Sequence, residues 1–267
     1  MGSQSKSLLA LARRINSFYL SGLQSEWVPL VCTGCQVGLV SPPVLAQLLL
    51  YPEVFTVTKD AVTVSERLDD AEARSTALEG VLLDIKKKGL FPALNGWRAE
   101  RYEIRKNFSE PPLFCMERSA TPLFGLRQYG VHINGFVRHS SRGPCLWLQR
   151  RSATKPTWPG LLDTFVGGGL SEGLGVLETA VKEAGEEANV PQDLARTVRS
   201  AGTVSFLHQS DRGLHPNTEF VFDLELPETF IPGNNDGEVS GFELVPVGDI
   251  VSIITSKVRT NLGRHTN

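Results

Sequence analysis

The pattern of hydrophobic and polar positions divides the chain into two parts of different character. In the first part, apolar residues recur at helical spacing in three segments, and shorter β-rich runs lie between them. The predicted elements are helices at 8–20, 42–50 and 69–87 and strands at 55–57, 61–64 and near 97–104. Proline-containing turns at 109–112 and 119–122 mark a junction. The first part therefore predicts a smaller α/β domain over residues 1–120.

From about residue 123 the pattern changes to β-rich segments around one main helix. The predicted strands lie at 131–138, 145–150, 162–166, 203–208 and 219–225, and the helix lies at 176–189. Strands of this kind with a helix between them predict a mixed sheet that is sandwiched by helices. The second domain is expected to cover residues 121–267.

The helix at 176–189 has two faces of different chemistry. Glu183, Glu186 and Glu187 are three and four residues apart, so their side chains share one side. Another side carries an apolar stripe made of Leu177, Ala180, Val181, Ala184 and Ala188. Like charges on one face repel each other by roughly a few tenths of a kcal/mol per pair, and a hard divalent cation such as Mg²⁺ would offset this. The alternative is a solvated acidic face.

Residues 168–190 resemble the Nudix box, a glycine-rich turn followed by a helix with clustered glutamates. The departures from the family pattern are Leu174 in place of the first Glu, Lys182 in place of Arg and Asn189 in place of the last Gly. Asn189 suits a left-handed helix end. Lys182 keeps the positive charge and is predicted to pair with Glu186. Leu174 removes a carboxylate, so metal affinity is the property that this variant box affects.

A longer stretch, residues 155–191, resembles the Nudix branch that is related to thiamine pyrophosphokinase. Further matches to that branch lie at 96–98, Glu100, 116–118, 123–125, 129–135 and 236–239. The resemblance implies a Nudix α/β/α sandwich with a mixed sheet, preceded by the N-terminal domain typical of the branch. It also implies a final strand and helix after Asn261, where only LGRHTN remains. A truncated C-terminal end that leaves apolar surface exposed is therefore expected.

The Nudix resemblance implies metal-dependent hydrolysis of a diphosphate bond, with Mg²⁺ or alternatively Mn²⁺ as the cofactor. The metal ligands that it implies are Glu183, Glu186, Glu187 and the backbone carbonyl of Gly167. The same glutamates are the implied catalytic residues, joined by Glu238 as a candidate general base or additional ligand. The alternative for Glu238 is a solvated carboxylate in a turn. The alternative role for the glycines at 167–169 is structural, because a tight strand-to-helix turn needs glycine in any case.

The branch resemblance also implies a substrate, damaged (oxidised) thiamine diphosphate, which is cleaved to the monophosphate and phosphate. A nucleotide diphosphate of the ADP-ribose or 8-oxo-dGDP type is the alternative within the enzyme class, and a weakly active ligand-binding Nudix protein is the alternative outside it. Trp158 and Phe206 are candidates to stack on the substrate ring, with core packing as the alternative. His132 and His208 are predicted to line the core or a pocket, and segment 97–100 is a candidate to reach the active site.

Composition narrows the partners and the location. A formal net charge of −2 gives no basic footprint for nucleic acid, and no apolar run approaches the roughly 18 residues of a membrane span. The expected partner is a small-molecule diphosphate, and a homodimer is left open. Four cysteines with one C-x-x-C pair indicate reduced thiols, which favours the cytoplasm. The basic, amphipathic segment 1–25 is typical of a mitochondrial presequence or of a first helix of the N-terminal domain.

Overall fold

The computed structural model describes residues 3–20, 22, 24–155 and 157–262. The helices in this part of the chain are α1 (Ser3–Ile15), α2 (Pro42–Leu48), α3 (Ala71–Lys87), α4 (Val176–Ala188), α5 (Gln192–Ala195) and α6 (Val247–Leu262). The first six strands are β1 (Val28–Cys32), β2 (Cys35–Val40), β3 (Phe55–Val57), β4 (Val62–Val64), β5 (Arg101–Ile104) and β6 (Phe114–Glu117). The others are β7 (Gln128–His139), β8 (Gly143–Arg151), β9 (Leu162–Asp163), β10 (Val166–Gly169), β11 (Arg199–Ser210), β12 (Gly213–Glu225) and β13 (Val239–Pro246).

The first domain is built on a four-stranded sheet in the order β2-β1-β4-β3. Helix α3 begins after Asp70, whose carboxylate accepts the backbone N–H of Ala73 at 2.7 Å and so caps the helix. Its residues Leu78 and Leu82 are buried in the core that α3 shares with the sheet. The hairpin of β5 and β6 follows, and the 3-10 helix Arg118–Phe124 leads into the second domain. The predicted mixed α/β content of the first domain is confirmed.

The hairpin of β1 and β2 is absent from the elements that the sequence pattern predicts. Thr33 and Gly34 form its turn with φ angles of 47° and 73°, between Cys32 and Cys35. The register shifts between Leu30 and Val31, and such a bulge breaks the regular alternation by which a strand is recognised.

The second domain contains a seven-stranded mixed sheet. Its main order is β11-β12-β7-β8-β13, with β10 paired to β7 and β9 paired to β8. β12 and β7 run parallel, whereas the other pairs are antiparallel. The predicted strand at 162–166 is two short strands, β9 and β10, because β9 pairs with β8 and β10 with β7.

Helices cover both faces of this sheet. Helix α4 buries Ala180, Ala184 and Ala188 against the face that carries Val131 and Ile133. Helix α6 borders a cleft together with side chains of the opposite face, namely Asn134, Leu146 and Leu148. This arrangement confirms the predicted α/β/α sandwich with a mixed sheet. Within the described residues, no helix has both the length and the apolarity needed to cross a membrane.

Strand β13 and helix α6 at 239–262 are elements that the sequence pattern does not predict, and the C-terminal end after Leu262 lies outside the described residues. One detail of the sequence interpretation needs correction. Leu177 is 50% exposed because it lies in the first turn of α4, whereas Ala180, one turn later, is fully buried. Helix α1 contacts β11 and α6 of the second domain. The segment after α1 continues this contact, since the Asn16 side chain accepts the Leu207 N–H at 3.3 Å.

Candidate active site

The glycines at 167–169, which the sequence predicts as a turn, lie in strand β10, and β10 and α4 together bring carboxylates against bare backbone. β10 pairs with β7, so that Gly168 lies opposite Val131. A Cβ on Gly168 would clash with the Glu183 side chain, because it would lie 2.3 Å from the carboxyl carbon. Only glycine therefore allows this approach of Glu183 to the strand. At the other end of α4, Asn189 has a φ of 53° and forms the predicted left-handed cap.

Glu187 is the most deeply placed of the three helix glutamates, with 2% exposure. Its Oε2 accepts the backbone N–H of Gly167 at 2.9 Å and the side-chain amide of Gln149 at 3.1 Å. Burial raises the pKa of Glu187 to about 7. A carboxyl group with such a pKa exchanges its proton near neutral pH, which is unusual for a glutamate and frequent at functional sites.

Two lysines neutralise the carboxylates in the structure. Lys182 Nζ lies 2.6 Å from a carboxylate oxygen of Glu186 and 3.2 Å from one of Glu183, which confirms the predicted pairing with Glu186. Lys155 Nζ lies 3.8 Å from Glu187 Oε1 and forms an ion pair with Glu238. Lys155 thus joins the 236–239 loop to α4, and its own burial lowers its pKa.

Lys155 is a site residue that the sequence interpretation did not single out. Its partners lie 32 and 83 residues away along the chain, in α4 and in the loop before β13. A single lysine in a loop forms no spacing pattern that could mark it as a site residue. The one feature of the sequence that points to Lys155 is its position at the start of the stretch that resembles the thiamine-related branch.

The donor set fits a hard divalent cation. Among the residues that the structure describes, no three His, Cys, Asp or Glu side chains are already clustered as a metal site. The side chains of Glu183, Glu186 and Glu187 nevertheless offer oxygen donors only, the ligand type that Mg²⁺ and Mn²⁺ prefer. The ammonium groups of Lys155 and Lys182 occupy places beside these carboxylates where a cation is favoured.

The two aromatic candidates lie in different surroundings. Trp158 is 55% exposed, so core packing is wrong for it, and its ring lies 5.9 Å from the Arg14 guanidinium. Phe206 lines a cleft of about 630 Å³ between the two domains, where Tyr19 and Phe108 of the first domain also border it. Tyr129 and Phe220 line the same cleft. Because the Tyr129 carbonyl accepts the Leu170 N–H at 2.9 Å, this aromatic cleft begins next to the end of β10.

The two histidines lie in strands, as predicted, and both are partly buried. The Nδ1 atom of His132 lies 2.9 Å from the Thr164 hydroxyl, and its Nε2 atom lies 3.7 Å from Glu219. The ring of His208 stacks on that of His215 with 4.6 Å between the centroids. Neither histidine forms a hydrogen bond or ion pair with the α4 carboxylates among the described residues.

The first domain is attached to the loop that follows β10. Arg101 binds Glu172 through two hydrogen bonds of 2.7 and 2.9 Å. The Glu100 carboxylate accepts the Ser171 hydroxyl at 2.6 Å, and the Tyr102 hydroxyl lies against the backbone of Gly169. The start of β5 and the residue before it therefore hold the loop of the variant box in place. In segment 97–100, Glu100 reaches this loop, whereas Trp97 packs against the core of the first domain.

Comparison with known proteins identifies the family. The NUDIX domain model matches residues 129–262, half of the chain, and a model described as "Domain of unknown function (DUF4743)" matches residues 7–128. The chain belongs to the Nudix family. It is similar to "Nudix hydrolase 24, chloroplastic" and "Nudix hydrolase 20, chloroplastic" of Arabidopsis thaliana, with 36% identity over 231 residues and 35% over 238 residues.

These relatives are longer than the chain. Each match covers 86% of this chain but only 62% and 63% of the respective relative. Among solved structures, the Deinococcus radiodurans protein DR0079 matches with 26% identity and a TM-score of 0.43, over 59% of this chain and 90% of that one.

Proposed function

We propose that this protein is a divalent-metal-dependent hydrolase of a diphosphate bond. The main structural support is that Glu183 and Glu187 lie against the backbone of residues 167–168, because these glycines have no side chain that would intervene. Membership of the Nudix family and the two relatives named Nudix hydrolases support the same activity.

The chemical demand on such a site is to neutralise charge and to activate water. Bound Mg²⁺ or Mn²⁺ neutralises phosphate oxygens and lowers the pKa of attacking water. Glu183, Glu186 and Glu187 would hold the metal, with the Gly167 carbonyl as a further ligand. Glu238 would act as the general base or as an additional ligand, because Lys155 keeps it beside Glu187.

For the substrate, we infer an oxidised form of thiamine diphosphate, which would be cleaved to the monophosphate and phosphate. The resemblance of residues 155–191 to the thiamine-related branch supports this choice. The aromatic cleft of about 630 Å³ also supports it, because it has the size of a small-ligand site and its rings can stack on a heterocycle. Phe206 is the proposed stacking residue, and Trp158 would contact a substrate only from its exposed loop.

A product assay on the full chain tests the substrate. Oxythiamine diphosphate, ADP-ribose and 8-oxo-dGDP are compared at equal concentration with Mg²⁺, and the products are separated by chromatography. The thiamine proposal predicts that oxythiamine monophosphate and phosphate form fastest. Faster cleavage of ADP-ribose to two monophosphates would refute it. If nothing is cleaved but oxythiamine diphosphate raises the melting temperature, the protein is a binding module.

We also propose an organelle location in place of the cytoplasm. Both plant relatives are named chloroplastic, which supports this location. Helix α1 also supports it, because its last turn carries Arg13 and Arg14 and its first turn carries no acidic residue. Imaging of the full chain fused to a C-terminal fluorescent protein in its native cells tests this. A uniform cytoplasmic signal would contradict the proposal.

A further inference from the structure

The aromatic cleft extends along β7 away from the α4 carboxylates. Glu183 lies against Gly168, which is paired with Val131, so Glu183 lies on the face of the sheet that carries the Val131 side chain. Tyr129 precedes Val131 by two residues and shares this face. Arg127 lies two residues before Tyr129, about 7 Å farther from the carboxylates at roughly 3.3 Å per residue. Both Tyr129 and Arg127 line the cleft, which therefore has a near end and a far end.

The wall between the two ends is aromatic, and the first domain contributes to it. The ring of Phe108 lies 4.7 Å from that of Tyr129 and 4.9 Å from that of Phe220, between centroids. Phe108 itself is 40% exposed, so part of its ring remains open to a ligand. Such a wall favours a planar ring by stacking.

Arg127 carries the only charge of the cleft lining in the described part of the chain, because the lining residues include no aspartate, glutamate or lysine. Its side chain is exposed, and its guanidinium forms no hydrogen bond and no ion pair with any residue that the structure describes. A guanidinium group has N–H donors and no acceptor. The far end of the cleft therefore offers a ligand an unpaired group that can only donate.

Most other polar side chains of the lining are engaged within the protein. The amide nitrogens of three asparagines donate to carbonyl or carboxylate oxygens, and two hydroxyls bond to each other; these residues are Asn16, Asn107 and Asn217, and Ser205 with Thr218. The Oδ1 atom of Asn217 has no partner among the described residues, but it is buried and closed to solvent. Arg127 is therefore the side chain best placed to bind a substituent of a ring in the cleft.

A donor-only group distinguishes the two forms of the thiamine pyrimidine ring. In thiamine diphosphate the diphosphate is attached to the thiazolium ring, so the pyrimidine is the end that lies away from the phosphates. Its amino group donates hydrogen bonds, whereas oxythiamine has a carbonyl oxygen at the same position, which accepts them. With the diphosphate at the α4 carboxylates, the pyrimidine would extend toward Arg127. A guanidinium there stabilises the carbonyl form and leaves the amino form without a partner.

We propose that Arg127 determines specificity for the oxidised ring, because its guanidinium donates to the pyrimidine carbonyl at the far end of the cleft. This inference rests on the proposed function, since it takes the diphosphate to lie at the α4 carboxylates and the ring to lie in the aromatic cleft.

Binding of two monophosphates tests the proposal without turnover, because neither contains a diphosphate bond. Oxythiamine monophosphate and thiamine monophosphate are titrated by calorimetry into the full chain with Mg²⁺. The wild type should bind the oxythiamine compound about tenfold or more tighter, the effect of one hydrogen bond from a charged donor. Arg127→Ala should bind the two compounds equally, through weaker binding of the oxythiamine compound, with an unchanged melting temperature. Arg127→Lys should keep part of the preference, because it keeps a charged donor without the planar fork.

Arg67→Ala is the matched control, since Arg67 is an exposed arginine of the first domain that does not line the cleft. It should keep the wild-type preference. The proposal is overturned if the wild type binds the two monophosphates equally or binds neither, or if Arg127→Ala keeps the preference. If the preference depends on Arg127 but the wild type cleaves no diphosphate, the ring site stands and the hydrolase function fails. If the wild type cleaves oxythiamine diphosphate but shows no preference, the hydrolase function stands and the role of Arg127 fails.

Discussion

Replacement of Glu187 by Gln is expected to stabilise the metal-free protein above pH 7 while it removes the proposed activity. Glu187 is 2% exposed, and burial raises its pKa from the ordinary 4.5 to about 7. The folded state therefore holds this proton more tightly than the unfolded state. It follows that ionisation costs stability as the pH rises from 4.5 through 7.

The size of the effect follows from the same two pKa values. Each pH unit between them corresponds to about 1.4 kcal/mol, so the ionised carboxylate costs up to about 3 kcal/mol above pH 7. Gln has nearly the same shape, and its oxygen can still accept the N–H of Gly167 and the amide of Gln149. The variant should therefore resemble the protein with a protonated Glu187 at every pH.

The assay is urea unfolding of the wild type and Glu187→Gln in the presence of a chelator, from pH 4.5 to pH 8. The difference in the free energy of unfolding should be close to zero at pH 4.5 and grow to as much as about 3 kcal/mol in favour of the variant by pH 8. Added Mg²⁺ should then raise the melting temperature of the wild type more than that of the variant, because the variant lacks the Glu187 ligand and metal that binds the folded state stabilises it. A free-energy difference that does not change with pH would refute the reasoning.

Two further changes test the glycines of β10 and the domain contact. Gly168→Ala should lower Mg²⁺-dependent turnover at least about tenfold, because the new Cβ displaces Glu183 and small misplacements are costly in catalysis. Gly185→Ala is the control, because a Cβ at this position has its nearest neighbour at 4.0 Å. This control variant should raise the free energy of unfolding by about 0.5–1 kcal/mol in urea unfolding. A double-mutant cycle on Arg101 and Glu172 should give a coupling energy below about 1 kcal/mol, because both side chains are about one third exposed; a coupling of several kcal/mol would contradict this.

Local periodicity predicts the acidic helix well because its features depend on residues three or four apart. Helix geometry places the three glutamates on one side of α4, and it also places Lys182 next to Glu186. The left-handed cap at Asn189 is also local, since it depends on a single residue that tolerates positive φ. Leu177 shows the limit of this reasoning, because helical spacing does not reveal that the first turn of α4 leaves it exposed.

The rest of the candidate site depends on contacts between distant parts of the chain. Arg101 and Glu172 are 71 residues apart, and Lys155 and Glu238 are 83 residues apart. No periodicity connects such pairs, because they form only when the two domains and the loop before β13 come together. The exposure of Trp158 depends equally on tertiary structure, since a tryptophan in a loop is as compatible with the core as with the surface.

Product formation from each diphosphate, followed by chromatography for the wild type and for Glu187→Gln with and without Mg²⁺, tests the central claim most directly. The claim predicts that the wild type cleaves at least one of the three diphosphates only with a divalent metal, and that Glu187→Gln loses this activity. Glu178→Gln is the matched control, because Glu178 lies on the same helix but caps its start, where it accepts the Gly175 N–H at 2.7 Å. This variant should keep the wild-type rate. Equal turnover by the wild type and Glu187→Gln, or no metal-dependent turnover of any diphosphate, would contradict the claim.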